Sequence, residues 1–206
     1  RRPRLAHRRS QSAAALNRRN RSDRVPDPLD SALPRLTLVL GGARSGKSRH
    51  AEALVLAAAR EALLIATAEP GDEEMRQRIA AHRGRRDPRW QVIEEPLALA
   101  PRLCAEARPE RVILVDCLTL WLSNVMLAGQ DAAAEIATLV AALPTSAGPV
   151  VMVANEVGLG IVPDNPLARA FRDHAGRLNS AIAAAADRVY FLAAGLPLIL
   201  KDRSRP

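Results

Sequence analysis

The stretch Leu36-Thr37-Leu38-Val39-Leu40-Gly41-Gly42-Ala43-Arg44-Ser45-Gly46-Lys47-Ser48-Arg49-His50-Ala51-Glu52-Ala53-Leu54-Val55 decides how this chain is read. A short apolar run of strand character leads into a glycine-rich turn, and an Ala/Leu-rich helical stretch starts at Lys47. Residues Gly41 to Ser48 match G-x-x-x-x-G-K-[ST] in the context that motif requires, between a strand and a helix. Its glycines let successive backbone N–H groups converge on phosphate oxygens, and the helix N-terminus adds the positive end of its dipole. Gly41, Gly42, Ala43, Arg44, Ser45, Gly46, Lys47 and Ser48 are therefore the first candidate nucleotide contacts. Lys47 is expected on the β and γ phosphates and Ser48 on Mg²⁺. The chain has 28 arginines and only two lysines, Lys47 and Lys201. One of the two stands where the loop demands a lysine.

Outward from the loop, strand-like runs at Ala62–Ala66, Gln91–Glu94, Val112–Asp116, Val150–Ala154, Val189–Leu192 and Leu196–Leu200 alternate with helical stretches. The helices are expected at about Lys47–Arg60, Asp72–Arg83, Pro96–Ala107, Leu118–Leu127, Ala132–Leu143 and Asn165–Ala186. Several runs are apolar throughout, as strands covered on both faces are. This rhythm predicts an α/β fold of the P-loop NTPase type, with a mostly parallel sheet and helices on both faces. The last two strands are joined too tightly, across Ala193 to Gly195, for a parallel crossover, so the C-terminal strand is expected to run antiparallel.

The 206 residues are 48% apolar and 25% charged, enough for one sizeable core. No apolar run approaches the roughly 20 residues that cross a bilayer. Cys104 and Cys117 lack zinc-site spacing, and a reducing, cytoplasmic setting is the simple reading. The net charge of +8 raises nucleic acid as a partner, yet residues 1–35 hold ten arginines against three aspartates, and the rest holds 20 basic against 19 acidic groups. The basic character belongs to a Pro-containing leader without hydrophobic periodicity, expected to be disordered. It has no aromatic residue to stack on bases, so no nucleic-acid partner is expected. The catalytic domain is expected over 36–206.

A second phosphate-site element, an acid at the C-terminal end of another strand, is supplied by Val112-Ile113-Leu114-Val115-Asp116. Asp116 is read as a Mg²⁺ ligand beside Ser48, the alternative being a cap for the helix from Leu118. The N-K-x-D pattern of switch GTPases is missing at Asn155-Glu156-Val157-Gly158, which leaves small-molecule phosphoryl or nucleotidyl transfer. Between Glu74 and Trp90, His82 stands among Arg76, Arg78, Arg83, Arg85, Arg86 and Arg89. Neighbouring guanidinium charges favour its neutral form, with a lone pair available, and attract a triphosphate. By itself such a residue reads first as a solvated helix-end histidine.

Four blocks taken together change that weighting: GGARSGKSRHAE, IATAEPGDEEMRQRIAAHRGRRDPRW, VILVDCLTLWLSN and NEVGLGIVPDNPLARAFRDHAGRLN. In this order, over about Leu36 to Lys201, they closely resemble the bifunctional adenosylcobinamide kinase / adenosylcobinamide-phosphate guanylyltransferases of cobalamin biosynthesis. The resemblance implies two reactions. ATP or GTP phosphorylates adenosylcobinamide, and GTP then donates GMP to that phosphate through a histidine-bound intermediate, releasing pyrophosphate. The matching histidine is His82. The family's other nucleotide contacts fall on Ala66, Thr67 and Ala68, on Arg83, Gly84, Arg85 and Arg86, and on Glu94 and Asp116. Glu94 would accept from the guanine N1 and N2 donors. The resemblance also implies a homotrimer. His50, on the first turn after the loop, is the rival nucleophile, and a P-loop small-molecule kinase without covalent guanylylation is the alternative enzyme. His174 is assigned a structural or surface role. Leu118, Trp121, Leu122, Val125 and Met126 are assigned to core or a subunit interface, and Ala154 to Pro163 to a loop at the same sheet edge that serves either substrate contact or a packed glycine turn, with Pro163 and Pro166 setting up the next helix.

Overall fold

The structure, a computed structural model, describes residues 33–59, 61–69 and 88–203. Residues Leu33–Pro206 form one compact unit. Seven strands occur among the described residues: β1 (Leu36–Gly41), β2 (Glu61–Ala66), β3 (Trp90–Glu94), β4 (Arg111–Asp116), β5 (Val150–Asn155), β6 (Arg188–Ala193) and β7 (Leu196–Asp202). They form one sheet in the order β3-β2-β4-β5-β1-β6-β7. All neighbours pair in parallel except β6 and β7, which pair antiparallel. The tight link expected to force that reversal is a two-residue turn, Ala194-Gly195, with φ of 51° and 81° at its two positions. Paired positive φ values match the twist of a hairpin.

The described helices are α1 (Lys47–Ala58), α2 (Leu99–Glu106), α3 (Leu118–Leu127), α4 (Ala132–Ala142) and α5 (Pro166–Ala185). Four match the sequence ranges to within two residues. The fifth, α2, starts three residues later than expected, because Glu95 Oε1 accepts from the N–H groups of Leu97 (3.3 Å) and Ala98 (2.8 Å) and holds them in a turn. The stretch expected as a helix at Asp72–Arg83 lies outside the described residues. Asp131 caps α4 through the N–H groups of Ala133 and Ala134, and Asn165 caps α5 through that of Ala168. Pro166 occupies the first position of α5, where no N–H is needed.

Alternate strand residues face opposite ways, and among the described residues the two faces are covered unequally. On one face Leu36, Leu38, Leu63, Ile65, Ile113, Val115 and Met152 pack beneath α2, α3, α4 and α5. On the other, Val39, Leu64, Val112, Leu114, Val151, Val153 and Tyr190 meet Ala51, Leu54 and Val55 of α1. Leu118, Trp121, Leu122 and Val125 of α3 are buried in the first cluster, with Met126 packed against it, in line with their reading as core.

Candidate nucleotide site

At the C-terminal end of β1 the chain turns sharply into α1. Gly41 has φ 153°, and a Cβ there would run into the Leu192 carbonyl oxygen and the Ser45 hydroxyl. Gly46, the N-cap of α1, has φ 96°, a conformation that a side chain would strain. The hairpin turn backs this loop: the Gly195 N–H donates to the Ser45 carbonyl at 3.0 Å. That contact was not foreseen, although the Ala-Gly pair between two apolar runs was a legible turn signal.

Lys47 is buried, and its Nζ donates to the Gly42 carbonyl at 2.7 Å, across the mouth of the loop. The Ser45 hydroxyl is buried with no hydrogen-bond partner among the described residues. A cationic nitrogen and an unsatisfied hydroxyl in one glycine-rich cradle are what an anionic ligand requires.

Register places the other candidates in one row. Ala66 pairs with Glu94 on one side and with Asp116 on the other. The residues two before them on each strand, Leu64 and Leu114, belong to the α1 face, so Ala66 and Asp116 face the same way as α1. Trp90 packs against that same cluster, which by the period of two puts Glu94 there as well. At about 4.8 Å per strand, Asp116 stands about 10 Å and Glu94 about 19 Å from β1 along the edge.

Asp116 makes no ion pair among the described residues, and the peptide following it is cis. The N-cap of α3 is Cys117, with no side-chain cap hydrogen bond, so Asp116 does not serve as the helix cap considered above. Burial pushes the Cys117 thiol up to about 11, the Asp116 charge adds to the rise, and Lys47 acts in the opposite sense.

Thr67 joins β2 to β4. Its hydroxyl donates to the Cys117 carbonyl (2.7 Å) and accepts from the Cys117 N–H (2.8 Å), its N–H donates to the Asp116 carbonyl (3.2 Å), and its carbonyl accepts from Asn124 Nδ2 (2.8 Å). Each polar group of Thr67 has a partner within the protein, so its described role is to clamp the edge that carries Asp116. Ala68 follows it, half-buried. Asn124 also reaches the Pro96 carbonyl, and Trp121 Nε1 donates to that of Leu97. Asn124 is a supporting residue that motif reading missed, since an asparagine inside a helix carries no positional signal.

The ring of His50 meets that of Tyr190 edge-on at 4.9 Å, its Nε2 is buried with no partner among the described residues, and burial lowers its pKa. Facing the sheet beneath α1, it is packed rather than presented. His174 lies half-buried in α5, with Nδ1 unpartnered. His82, Arg83, Gly84, Arg85 and Arg86 lie outside the described residues.

The residues fit a hydrated Mg²⁺: Ser48 and Asp116 offer hard oxygen donors, whereas no cluster of three or more His, Cys, Asp or Glu able to hold a metal exists among the described residues. Mg²⁺ keeps several waters and takes one or two protein oxygens together with substrate phosphates. No helix among the described residues is long and apolar enough to cross a membrane.

Comparison with known proteins agrees with this geometry. A family model, "CobU: Cobinamide kinase / cobinamide phosphate guanyltransferase", matches residues 37–200. The chain is 50% identical over 166 residues to the "Bifunctional adenosylcobalamin biosynthesis protein CobP" of Pseudomonas aeruginosa, covering 80% of this chain and 96% of that protein. It is 43% identical over 181 residues to the "Bifunctional adenosylcobalamin biosynthesis protein CobU" of Salmonella typhimurium, covering 81% and 99%. Among solved structures, an ATPase from the type III secretion system of pathogenic bacteria superposes with a TM-score of 0.52 at 11% identity, covering 83% of this chain and 57% of that one, a likeness of fold alone. The matched span runs from β1 to β7 and includes the phosphate loop, Asp116 and the row beside it, and the chain belongs to the cobinamide kinase / cobinamide phosphate guanyltransferase family.

Proposed function

We propose that this protein phosphorylates adenosylcobinamide with ATP or GTP and then transfers GMP from GTP to the resulting phosphate, giving adenosylcobinamide-GDP and pyrophosphate. The observation that carries the reading is the loop Gly41–Ser48, with Lys47 held across its mouth, beside a row on the same sheet face that ends in Asp116, Ala66 and Glu94. One edge thereby offers a phosphate cradle at β1 and a base-reading carboxylate on β3. The two are far enough apart for nucleotide recognition to be shared among several elements.

In the kinase step Lys47 and the loop N–H groups hold the donor phosphates, and Ser48 and Asp116 would hold Mg²⁺, which neutralises charge on the transferring group. In the transferase step His82 is the nucleophile. Its neutral imidazole nitrogen bonds to the α-phosphorus of GTP as the bond to pyrophosphate breaks. An oxygen of adenosylcobinamide phosphate then displaces the imidazole, so the phosphorus–nitrogen bond breaks and His82 is restored. Arg83, Arg85 and Arg86 stabilise the departing pyrophosphate. The chain leaves β2 at the site edge, through Ala68 and Glu69, before the segment that carries His82. Packing of His50 against Tyr190 favours His82 over its rival.

The same reading takes the enzyme as cytoplasmic, a homotrimer, with no nucleic-acid or membrane partner. Leu196, Leu198 and Leu200, exposed along β7, give an assembly apolar surface to bury. The test is incubation with GTP labelled at the α-phosphate, followed by denaturing electrophoresis of the wild type, His82→Ala and His50→Ala. Acid-labile label lost only from His82→Ala is expected. Label lost only from His50→Ala moves the nucleophile to α1, and no label in any protein leaves a kinase without covalent guanylylation.

A further inference from the structure

The loop after β5 and the outer side of α5 border a shallow, open groove of about 610 Å³, lined by Gly158, Arg172, Asp173, Gly176, Arg177 and Ser180. The loop is tied to the phosphate cradle, since the Glu156 N–H donates to the Gly41 carbonyl at 3.0 Å and Glu156 Oε1 accepts from the Gly158 N–H at 2.6 Å. Two residues of chain span at most about 7 Å, so the groove wall at Gly158 stands close to the loop. The other wall is fixed as well: Asn179 on α5 donates to the Asn155 carbonyl at 3.1 Å.

Two features of the groove have no explanation among the described residues. Arg177 makes no ion pair among the described residues, and Arg172 pairs only with its sequence neighbour Asp173, at 3.1 Å. Gly176 sits in the middle of a 20-residue helix, where glycine is less favourable than alanine, yet a Cβ there would meet nothing within 4 Å. No packing among the described residues requires that glycine. Leu159 and Ile161, in the loop that continues from Gly158, are 83% and 96% exposed. Two arginines, one of them paired with Asp173, beside a helical glycine suit a ligand that carries a phosphate on an extended arm.

We propose that this groove binds the acceptor, with Arg177 and Arg172 on the phosphate of cobinamide phosphate and Gly176 leaving room for its arm. The assignment rests on the function proposed above and adds the side from which the acceptor approaches the nucleotide.

The test compares wild type, Arg177→Ala, Arg177→Lys and Gly176→Ala as full chains, measuring KM for cobinamide phosphate, GTP affinity and thermal midpoint. Arg177→Ala is expected to raise the acceptor KM about tenfold or more, the loss of one charge-assisted hydrogen bond, with GTP affinity and midpoint unchanged. Arg177→Lys should recover part of it. Gly176→Ala is expected to raise the midpoint while it raises the acceptor KM, a pairing that a structural role would not produce. Unchanged acceptor KM in both Arg177→Ala and Gly176→Ala, in an enzyme whose wild type turns over, overturns the groove alone. Wild type that binds GTP but neither binds nor turns over cobinamide phosphate overturns the functional reading and the groove with it.

Discussion

The two ends of the parallel strands are built from different chemistry. At the N-terminal end, charges are matched in pairs. Arg111, 7% exposed, meets Glu106 at 2.7 Å and Glu61 at 3.3 Å, and Arg188, 3% exposed, meets Asp202 at 3.3 Å. The Leu36 N–H donates to Asp187 there as well. At the C-terminal end Asp116 makes no ion pair among the described residues, and the Ser45 hydroxyl has no partner. Both lysines are partnered, but they hold different parts of the chain. Lys201 binds the Ala183 and Ala184 carbonyls and closes the C-terminus of α5, whereas Lys47 lies across the mouth of a loop that a ligand would enter. The matched pairs at one end hold the fold, whereas the unpartnered Ser45 hydroxyl beside Lys47 at the other marks a place for an anionic ligand.

Substitutions at the two ends should therefore fail in different ways. The largest effect is expected of Lys47→Ala, which should lower kcat/KM of both reactions by about 10²- to 10³-fold, the scale for removing one donor to a developing anion, while the urea midpoint stays near wild type. Loss of stability without loss of rate would break the comparison. Arg111→Ala should do the reverse. It removes about 2 kcal/mol of stability, below the full range for a buried pair because the Glu61 side chain is 45% exposed, and it leaves GTP affinity of the folded protein intact. Urea unfolding with a parallel GTP titration checks both halves.

A smaller contrast separates the two thiols. Cys104 is exposed, whereas Cys117 is buried and its pKa is pushed up to about 11, so a thiol reagent should label Cys104 promptly and Cys117 only on unfolding. Mass mapping of the labelled peptides decides it. The smallest effect concerns His50. Its folded pKa lies below the ordinary 6.5, so the unfolded chain binds more protons between those two values. The stability it contributes is present above pH 6.5 and lost as pH falls towards the lowered value. Across that window the thermal midpoint of wild type should fall relative to that of His50→Phe on acidification.

Much of this was legible in the chain because the signals were local. The loop Gly41–Ser48, the apolar runs and the tight link before β7 each depend on residues a few positions apart. The four-block resemblance rested on local signals of the same kind, and the family match bears it out. Less legible were the supports that depend on distant partners: Thr67 on Cys117, Asn124 on Thr67 and Pro96, and Gly195 on Ser45. Thr67 shows the difference most directly. The family resemblance marked it as a nucleotide contact, while the fold turns its hydroxyl to the Cys117 backbone, 50 residues away in the chain.

The sequence by itself determined the parallel α/β fold, the phosphate cradle and the family, since periodicity and motif spacing are properties of neighbouring residues. Tertiary structure alone decided which charges find partners. Strand order brings β4 and β3 onto the edge beside β1, the two-residue period turns Asp116 towards α1, and burial sets His50 against Tyr190. Whether a polar group is satisfied depends on what packing brings to it through space, and no window of sequence contains that.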